Sequence, residues 1–202
     1  MKLTFKQFIM IPVGIAVLAF ILMLLELVLK TVEFPYFMTW ISFQAWAMYF
    51  MAGCTPQGGV KVVLGYLGGC LASMAIIALG VALLPSLGSM AFPLVVLVLV
   101  VPVISFERVP WFDFIPAWFV GAGVYFAIKG WGAPEMSYSA VAITTLVSCL
   151  VGQIFGVVTV VGRAKYEAML AAKAATGGEA IAEATAPAAE APADEAPAED
   201  DA

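Results

Sequence analysis

Six apolar runs, separated by short polar segments, constrain the fold of this chain more than any other feature. A helix needs roughly 20 apolar residues to cross a bilayer. Apart from closed β-barrels, only helices pair all of their backbone N–H and C=O groups within the hydrocarbon core. The chain is 63% hydrophobic and 11% charged, too apolar for a soluble domain. We therefore predict an all-α polytopic membrane protein with six transmembrane helices. The predicted spans are residues 8–29, 34–53, 61–84, 90–106, 112–128 and 137–161.

The basic residues predict the orientation of these spans. With the N-terminus inside, seven lysines and arginines fall in cytoplasmic segments and two in outer loops. Cytoplasmic segments carry such an excess, so both termini should be cytoplasmic. The first apolar run has no A-x-A cleavage site and is expected to be an uncleaved span. The cytoplasmic set is Lys2, Lys6, Lys61, Arg108, Arg163, Lys165 and Lys173, and the outer set is Lys30 and Lys129.

The C-terminal segment differs sharply in composition from the membrane domain, which we assign to residues 1–162. Residues 163–176 predict a cytoplasmic helix that ends at Gly177 and Gly178. Residues 177–202, rich in alanine, glutamate and proline, predict a disordered tail. Eight acidic and no basic residues follow from Glu179, so the net charge of −5 divides into an acidic tail and a mildly basic remainder.

Two stretches of the membrane domain align with each other and predict an internal repeat. At a shift of 76 residues, Phe43, Tyr49 and Phe50 fall on Phe119, Tyr125 and Phe126, and Ala45 and Ala47 on Gly121 and Gly123. At a shift of 79, Gly69, Cys70 and Ser73 fall on Ser148, Cys149 and Gly152. A repeated unit of three spans must enter the membrane in opposite senses. The alignment therefore favours a 3+3 inverted repeat, about 8–84 and 90–161, as in many transporters.

The composition argues against catalytic chemistry. There is no histidine, and the three cysteines form no C-x-x-C pair, so the usual metal ligands and general bases are missing. Cys70 and Cys149 are expected to be buried packing residues. We expect no enzyme, no cofactor and no metal site.

Polar and small residues within the spans are the candidates for a solute path. Gln44 and Gln153 place amides in hydrocarbon, where each must find a partner, either within the fold or in a solute. Small residues at four-residue spacing, including Gly69, Ser73, Ser148 and Gly152, predict close helix packing, and the same strips could border a narrow path. The five tryptophans could form an interfacial belt, or an aromatic set that includes Tyr49 and Tyr125 could line a constriction.

Two carboxylates near the ends of spans have structural interpretations. Glu26 lies four residues before Lys30, the favourable order for an exposed ion pair on a helix. This pair is preferred over a carboxylate that faces a pore. Asp113 is expected to cap the fifth span.

The segments WISFQAWAMYFMAG (40–53) and ISFERVPWFDFIPAWFVGAGVYFA (104–127) resemble a known family of bacterial inner-membrane proteins. It is the family of unknown function ten-ninety-seven, the YcdZ type, and the resemblance covers roughly residues 8–162. It implies a multi-pass protein of the bacterial inner (plasma) membrane. It implies no activity, because the family has none established.

Two functional hypotheses follow from the sequence. The first is a channel or transporter for a small uncharged solute, with its path at the interface of the repeats. The alternative is a non-transporting membrane anchor or assembly factor whose acidic tail recruits a cytoplasmic partner. The partners predicted are the lipid bilayer, a small neutral solute, a second copy of the chain and, for the tail, a cytoplasmic protein. Nucleic acid is not expected.

Overall fold

Helices account for every regular element of the computed structural model, which describes the backbone of residues 4–185 and the side chains of residues 4–175. The predicted all-α class is confirmed for this part of the chain. Most of the predicted disordered tail, residues 186–202, lies outside the described residues. The helices are α1 (Phe5–Phe8), α2 (Met10–Thr31), α3 (Thr39–Met51), α4 (Pro56–Leu87), α5 (Ala91–Ser105), α6 (Ile115–Ala127) and α7 (Tyr138–Thr185).

Three helical stretches within residues 4–185 are long and apolar enough to cross a membrane: Phe5–Thr31, Pro56–Arg108 and Tyr138–Ala175. The second stretch contains both α4 and α5. These helices mark the chain as a membrane protein, as the sequence predicts. By contrast, α3 and α6 have 13 residues each, which at 1.5 Å per residue makes them about 20 Å long, shorter than the hydrocarbon core.

The prolines of the short spans fall at different places in their helices. Pro116 lies in the first turn of α6, where a proline costs no hydrogen bond because the first amides have no intrahelical partner. The predicted span from residue 112 places Pro116 inside a helix, and the later start of α6 at Ile115 puts it in the first turn instead. Pro102, as expected, lies inside α5.

α4 and α5 form an antiparallel hairpin. The chain turns at Gly88, which caps α4 with φ +54°, a conformation that favours glycine. A Cβ on Gly80 would lie 2.5 Å from the ring of Phe92. The absence of a side chain at Gly80 therefore lets the two helices approach closely above the turn.

The core lies among α3, α4, α6 and α7. Its buried cluster includes Ile41, Tyr66, Tyr125 and Cys149, one from each of these helices. The helices α2 and α5 contribute far fewer buried residues, Leu22 from α2 and Ala91 and Val95 from α5. The membrane domain thus has four inner helices and two outer ones.

The last helix is longer than the sequence predicts. α7 runs to Thr185, past Gly177 and Gly178, where an end was expected. The prediction was wrong because two glycines, at about 1 kcal/mol each relative to alanine, are set among alanine and glutamate, which are strong helix formers. Contacts divide the chain into two units, residues 2–163 and the segment from Ala164 onward. The site described below lies entirely in the first unit.

Candidate functional site

The contact between α4 and α6 is closely packed. A Cβ on Gly65 would lie 2.5 Å from the Cβ of Ala117, and one on Gly69 would lie 2.6 Å from the backbone nitrogen of Ala122. Distances this short leave no space for a side chain or a solute. Ser73 adds one polar contact, because its Oγ donates a hydrogen bond to the carbonyl of Ala122 at 3.3 Å.

The contact between α3 and α7 is equally close and has more hydrogen bonds. A Cβ on Gly152 would overlap the carbonyl oxygen of Ser42 and lie 2.7 Å from the Cβ of Ala45. Ser42 Oγ donates to the carbonyl of Ser148 at 2.8 Å, and Ser148 Oγ accepts from the backbone nitrogen of Met38 at 3.0 Å. The small residues at this contact therefore allow close packing, and the two serines also form hydrogen bonds between the helices.

Gln153 adds a third bond to the α3–α7 contact. It is 8% exposed, and its Nε2 donates to the carbonyl of Ala45 at 2.7 Å. Its Oε1 has no hydrogen-bond partner among the residues that the structure describes. Gln153 is one of the two glutamines predicted as solute contacts. Its amide nitrogen is used in a bond between helices, and its amide oxygen remains available to accept a hydrogen bond.

The two predicted tyrosines are also packed between helices. A Cβ on Gly156 would lie 2.7 Å from the ring of Tyr49, and one on Gly59 would lie 3.2 Å from the same ring. Tyr125 is fully buried, and its hydroxyl donates to the carbonyl of Tyr138 at 3.0 Å. Each ring therefore fills space between inner helices.

The remaining predicted residue, Gln44, lies apart from the others in a cleft between α3 and α6. The cleft has a volume of about 390 Å³. Gln44 is exposed, and its amide forms no hydrogen bond with the residues that the structure describes. The lining residues, none of them charged, are Trp40, Gln44, Ala47, Met48, Val120, Gly123, Val124 and Ala127.

Gly123 and Ala47 keep this cleft open. A Cβ on Gly123 would meet no atom within 4 Å, and Ala47 presents only a methyl group. The sequence contained a signal for both, because Ala47 and Gly123 are aligned with each other in the proposed repeat. The alignment by itself predicts only duplication, and of the residues that line the cleft the sequence analysis predicts Gln44 alone as a solute contact.

The carboxylates near the membrane ends hold helices together. Glu26 forms the predicted ion pair with Lys30 at 2.8 Å, and its second oxygen accepts from the backbone nitrogen of Thr39 at 3.1 Å. Because Thr39 is the first residue of α3, this carboxylate satisfies one of the free amides at a helix start, where a negative charge is also favoured.

The expected cap by Asp113 is wrong. α6 is preceded by Phe114 and has no side-chain cap, whereas Asp113 forms an ion pair with Lys61 of α4 at 2.6 Å. The attraction of a nearby ammonium group outweighs that of the weak charge at a helix start. Asp113 thus ties the segment before α6 to α4.

The predicted site residues consequently fall into three places. Gln153, Gly152, Ser148 and Tyr49 lie at the α3–α7 contact, Gly69 and Ser73 lie at the α4–α6 contact, and Tyr125 joins α6 to the start of α7. Gln44 alone faces open space. Cys70 and Cys149 are buried, as expected of packing residues. Residues 4–185 contain no group of three or more cysteines and carboxylates placed to hold a metal ion.

Comparison with known proteins identifies the family. No curated protein and no solved structure matches the chain significantly. A family model described as Protein of unknown function (DUF1097) matches residues 12–162, a range that contains α3 to α6, most of α2 and the membrane part of α7. The YcdZ type and the bacterial source stay predictions. Because the match covers most of the chain and the whole candidate site, the chain belongs to the family DUF1097.

Proposed function

We propose that this chain is a six-span protein of the bacterial inner membrane that acts as a channel or transporter for a small uncharged solute. Its two halves, α2–α4 and α5–α7, would be inverted repeats, and both termini would be cytoplasmic. The observation that carries the proposal is the uncharged cleft between α3 and α6, which holds one free amide. These helices are the middle members of the two proposed repeats.

Aligned residues make matching contacts, which supports the repeat. Ser73 contacts Ala122, and the aligned pair Gly152 and Trp46 also meet, with 3.0 Å from a Cβ on Gly152 to the nitrogen of Trp46. In both cases the last helix of one half packs on the middle helix of the other. That exchange is expected of two copies related by a two-fold axis in the membrane plane.

A second pair of contacts follows the same rule, and a third pair matches the contact between the middle and last helices within each half. Gly69 packs on Trp118, and the aligned Ser148 and Ser42 are hydrogen-bonded. Tyr49 lies against Gly59, and the aligned Tyr125 donates to Tyr138. Chance similarity between two apolar segments gives no reason for such agreement. The aligned contacts are Gly69–Trp118 with Ser148–Ser42 and Tyr49–Gly59 with Tyr125–Tyr138.

The cleft lies where the proposed two-fold axis would emerge. Three aligned pairs line it: Gln44 with Val120, Ala47 with Gly123, and Met48 with Val124. Inverted-repeat transporters place their solute sites at this interface. The closely packed small-residue contacts leave no such space, so the path that we propose runs along the cleft.

Six spans are compatible with two short helices. Non-helical backbone is tolerated at membrane depth where protein buries it or it lines a water-filled space. Residues 32–38 and 109–114 precede the two short helices in equivalent positions, and residues 32–35 and 109–111 are exposed. Glu26 and Asp113 provide polar contacts near these segments. Each middle span would therefore consist of an irregular entry followed by a 13-residue helix.

The lining chemistry selects the class of solute. An amide both donates and accepts hydrogen bonds, and it carries no charge to offset the desolvation of an ion. Apolar side chains and one glycine supply the rest of the wall. A small neutral molecule with one donor and one acceptor fits this lining best.

Uptake into vesicles tests the proposal. The full chain, reconstituted in liposomes, should accelerate osmotic swelling in urea or glycerol above that of protein-free liposomes. Gln44→Leu should reduce this rate several-fold, and Gly123→Leu should reduce it by filling the cleft. The matched control is Gln57→Leu, the same change at an exposed glutamine outside the cleft. Swelling that is equal with and without protein, or unaffected by both cleft variants, would overturn the proposal.

A further inference from the structure

The cleft between α3 and α6 is open on one side, and that side is apolar except for Gln44. One large exposed aromatic, Trp40, lines it and is 41% exposed. Gln44 is the sixth of the 13 residues of α3, close to the middle of the helix. If α3 lies at membrane depth, this amide faces hydrocarbon, where no lipid tail can satisfy it.

The surface around the amide permits a close approach by another helix. Ala47 is exposed one turn from Gln44, and Gly123 has open space where a Cβ would be. Small residues of this kind let two backbones meet in a membrane, and a glutamine amide then bonds across the contact. The face formed by Trp40, Gln44, Ala47 and Gly123 has both properties.

We infer that a second copy of this chain covers the cleft and pairs its own Gln44 with this one. An amide is complementary to itself, since one donor and one acceptor on each side form two reciprocal hydrogen bonds. Two copies inserted in the same sense would be related by a two-fold axis along the membrane normal, and such an interface presents the same surface from both partners. A hydrocarbon chain or an apolar partner helix would leave the amide unsatisfied.

Closure by a second copy also completes the solute path, and this part rests on the proposed function. A cleft that is open to lipid cannot confine a polar solute. Two facing clefts form an enclosed passage with one Gln44 on each side. The two amides bond each other when the passage is empty, and they bond the solute when it is occupied.

Cross-linking tests which face meets its copy. Cys54 is exposed, whereas Cys70 and Cys149 are buried, so Cys54→Ser removes the accessible thiol and leaves the core intact. In this background, Ala47→Cys should give a dimer with a short bis-maleimide in native membranes. The control Val98→Cys, 66% exposed on α5 and away from the cleft, should give far less. Equal cross-linking at both positions, or none at Ala47→Cys, would overturn the inference.

The strength of association tests the role of the amide without relying on cross-linking. The full chain, labelled at Cys54 and reconstituted at a series of protein-to-lipid ratios, should be counted as dimers by single-molecule photobleaching. Gln44→Leu should raise the dissociation constant roughly tenfold, the size of effect expected for losing interhelical hydrogen bonds. Gln57→Leu should leave it unchanged. Monomers at every ratio, or a dissociation constant that Gln44→Leu does not raise, would overturn the inference.

The two proposals fail in distinguishable ways. Dimers that do not accelerate swelling would refute the solute path and leave the dimer standing. Swelling that persists in liposomes holding one chain each would refute closure by a second copy and leave the solute path standing.

Discussion

Two helix contacts of the membrane domain, α3–α7 and α4–α6, are equally close but differ in the number of hydrogen bonds between the helices. Both place glycine against the backbone of the opposing helix, Gly152 on α3 and Gly69 on α6. The α3–α7 contact then adds bonds from Ser42, Ser148 and Gln153, whereas α4–α6 has Ser73. Close approach is set by the small residues alone, and the hydrogen bonds are an addition that one contact has in greater number.

The first residues of the short helices also differ in polar bonding, and again α3 has more than α6. The first amide of α3 is bonded directly by Glu26. The start of α6 has no side-chain cap, and the nearby Asp113 bonds Lys61 of another helix. Polar chemistry is therefore concentrated around α3, while α6 depends more on packing. The predictions below test this difference.

The largest effect is expected from filling the two glycine contacts. Gly69→Ala and Gly152→Ala should each lower the free energy of unfolding by about 1–3 kcal/mol, because the new methyl group meets backbone that cannot move aside easily. Unfolding in detergent with increasing denaturant measures this. Gly14→Ala, where a Cβ meets no atom within 4 Å, is the control and should be neutral or stabilising. A large loss of unfolding free energy in only one of the two variants would show that the two contacts are not equally close.

Removing the polar bonds should show which contact depends on them. Gln153→Leu should cost about 1–2 kcal/mol of unfolding free energy, and Ser73→Ala about 0.6 kcal/mol, since bonds between membrane helices fall in this range. The same denaturant titration compares the two variants. Equal costs would mean that the Gln153 bond contributes no more to stability than the Ser73 bond.

The start of α3 offers a smaller and more specific test. Glu26→Ala removes both the ion pair and the acceptor for Thr39 and should cost about 1 kcal/mol. Glu26→Gln keeps an acceptor oxygen and should recover most of that loss. Amide hydrogen exchange at Thr39 should rise in the alanine variant and remain near the parent rate in the glutamine variant. Equal exchange in both variants would show that the bond to Thr39 does not hold the helix start.

The smallest effect is expected at the start of α6. Asp113→Asn should cost about 0.5 kcal/mol, because the side chains of Lys61 and Asp113 are 26% and 36% exposed and such pairs contribute little. The difference between parent and variant should shrink further in high salt. A cost above that of Glu26→Ala would reverse the contrast between α3 and α6.

Much of the architecture was predictable because the bilayer restricts the choices. Apolar runs long enough to cross a membrane predicted the helices. The four-residue spacing of Gly69 and Ser73 predicted a close helix contact, although not which helix forms it. The Glu26–Lys30 pair followed from helix geometry. What failed was local: the bounds of α3 and α6, the end of α7 and the cap by Asp113 each depend on competing neighbours.

The sequence by itself determined that this chain is helical, apolar enough for a membrane and divided into segments that align with each other. These properties depend on composition and on spacing along one chain. Only the tertiary structure decided that Gln153 bonds a neighbouring helix while Gln44 faces an open cleft. The two amides are equivalent in a linear reading because both interrupt apolar runs. They differ because partners for a polar group come from helices that are distant in sequence.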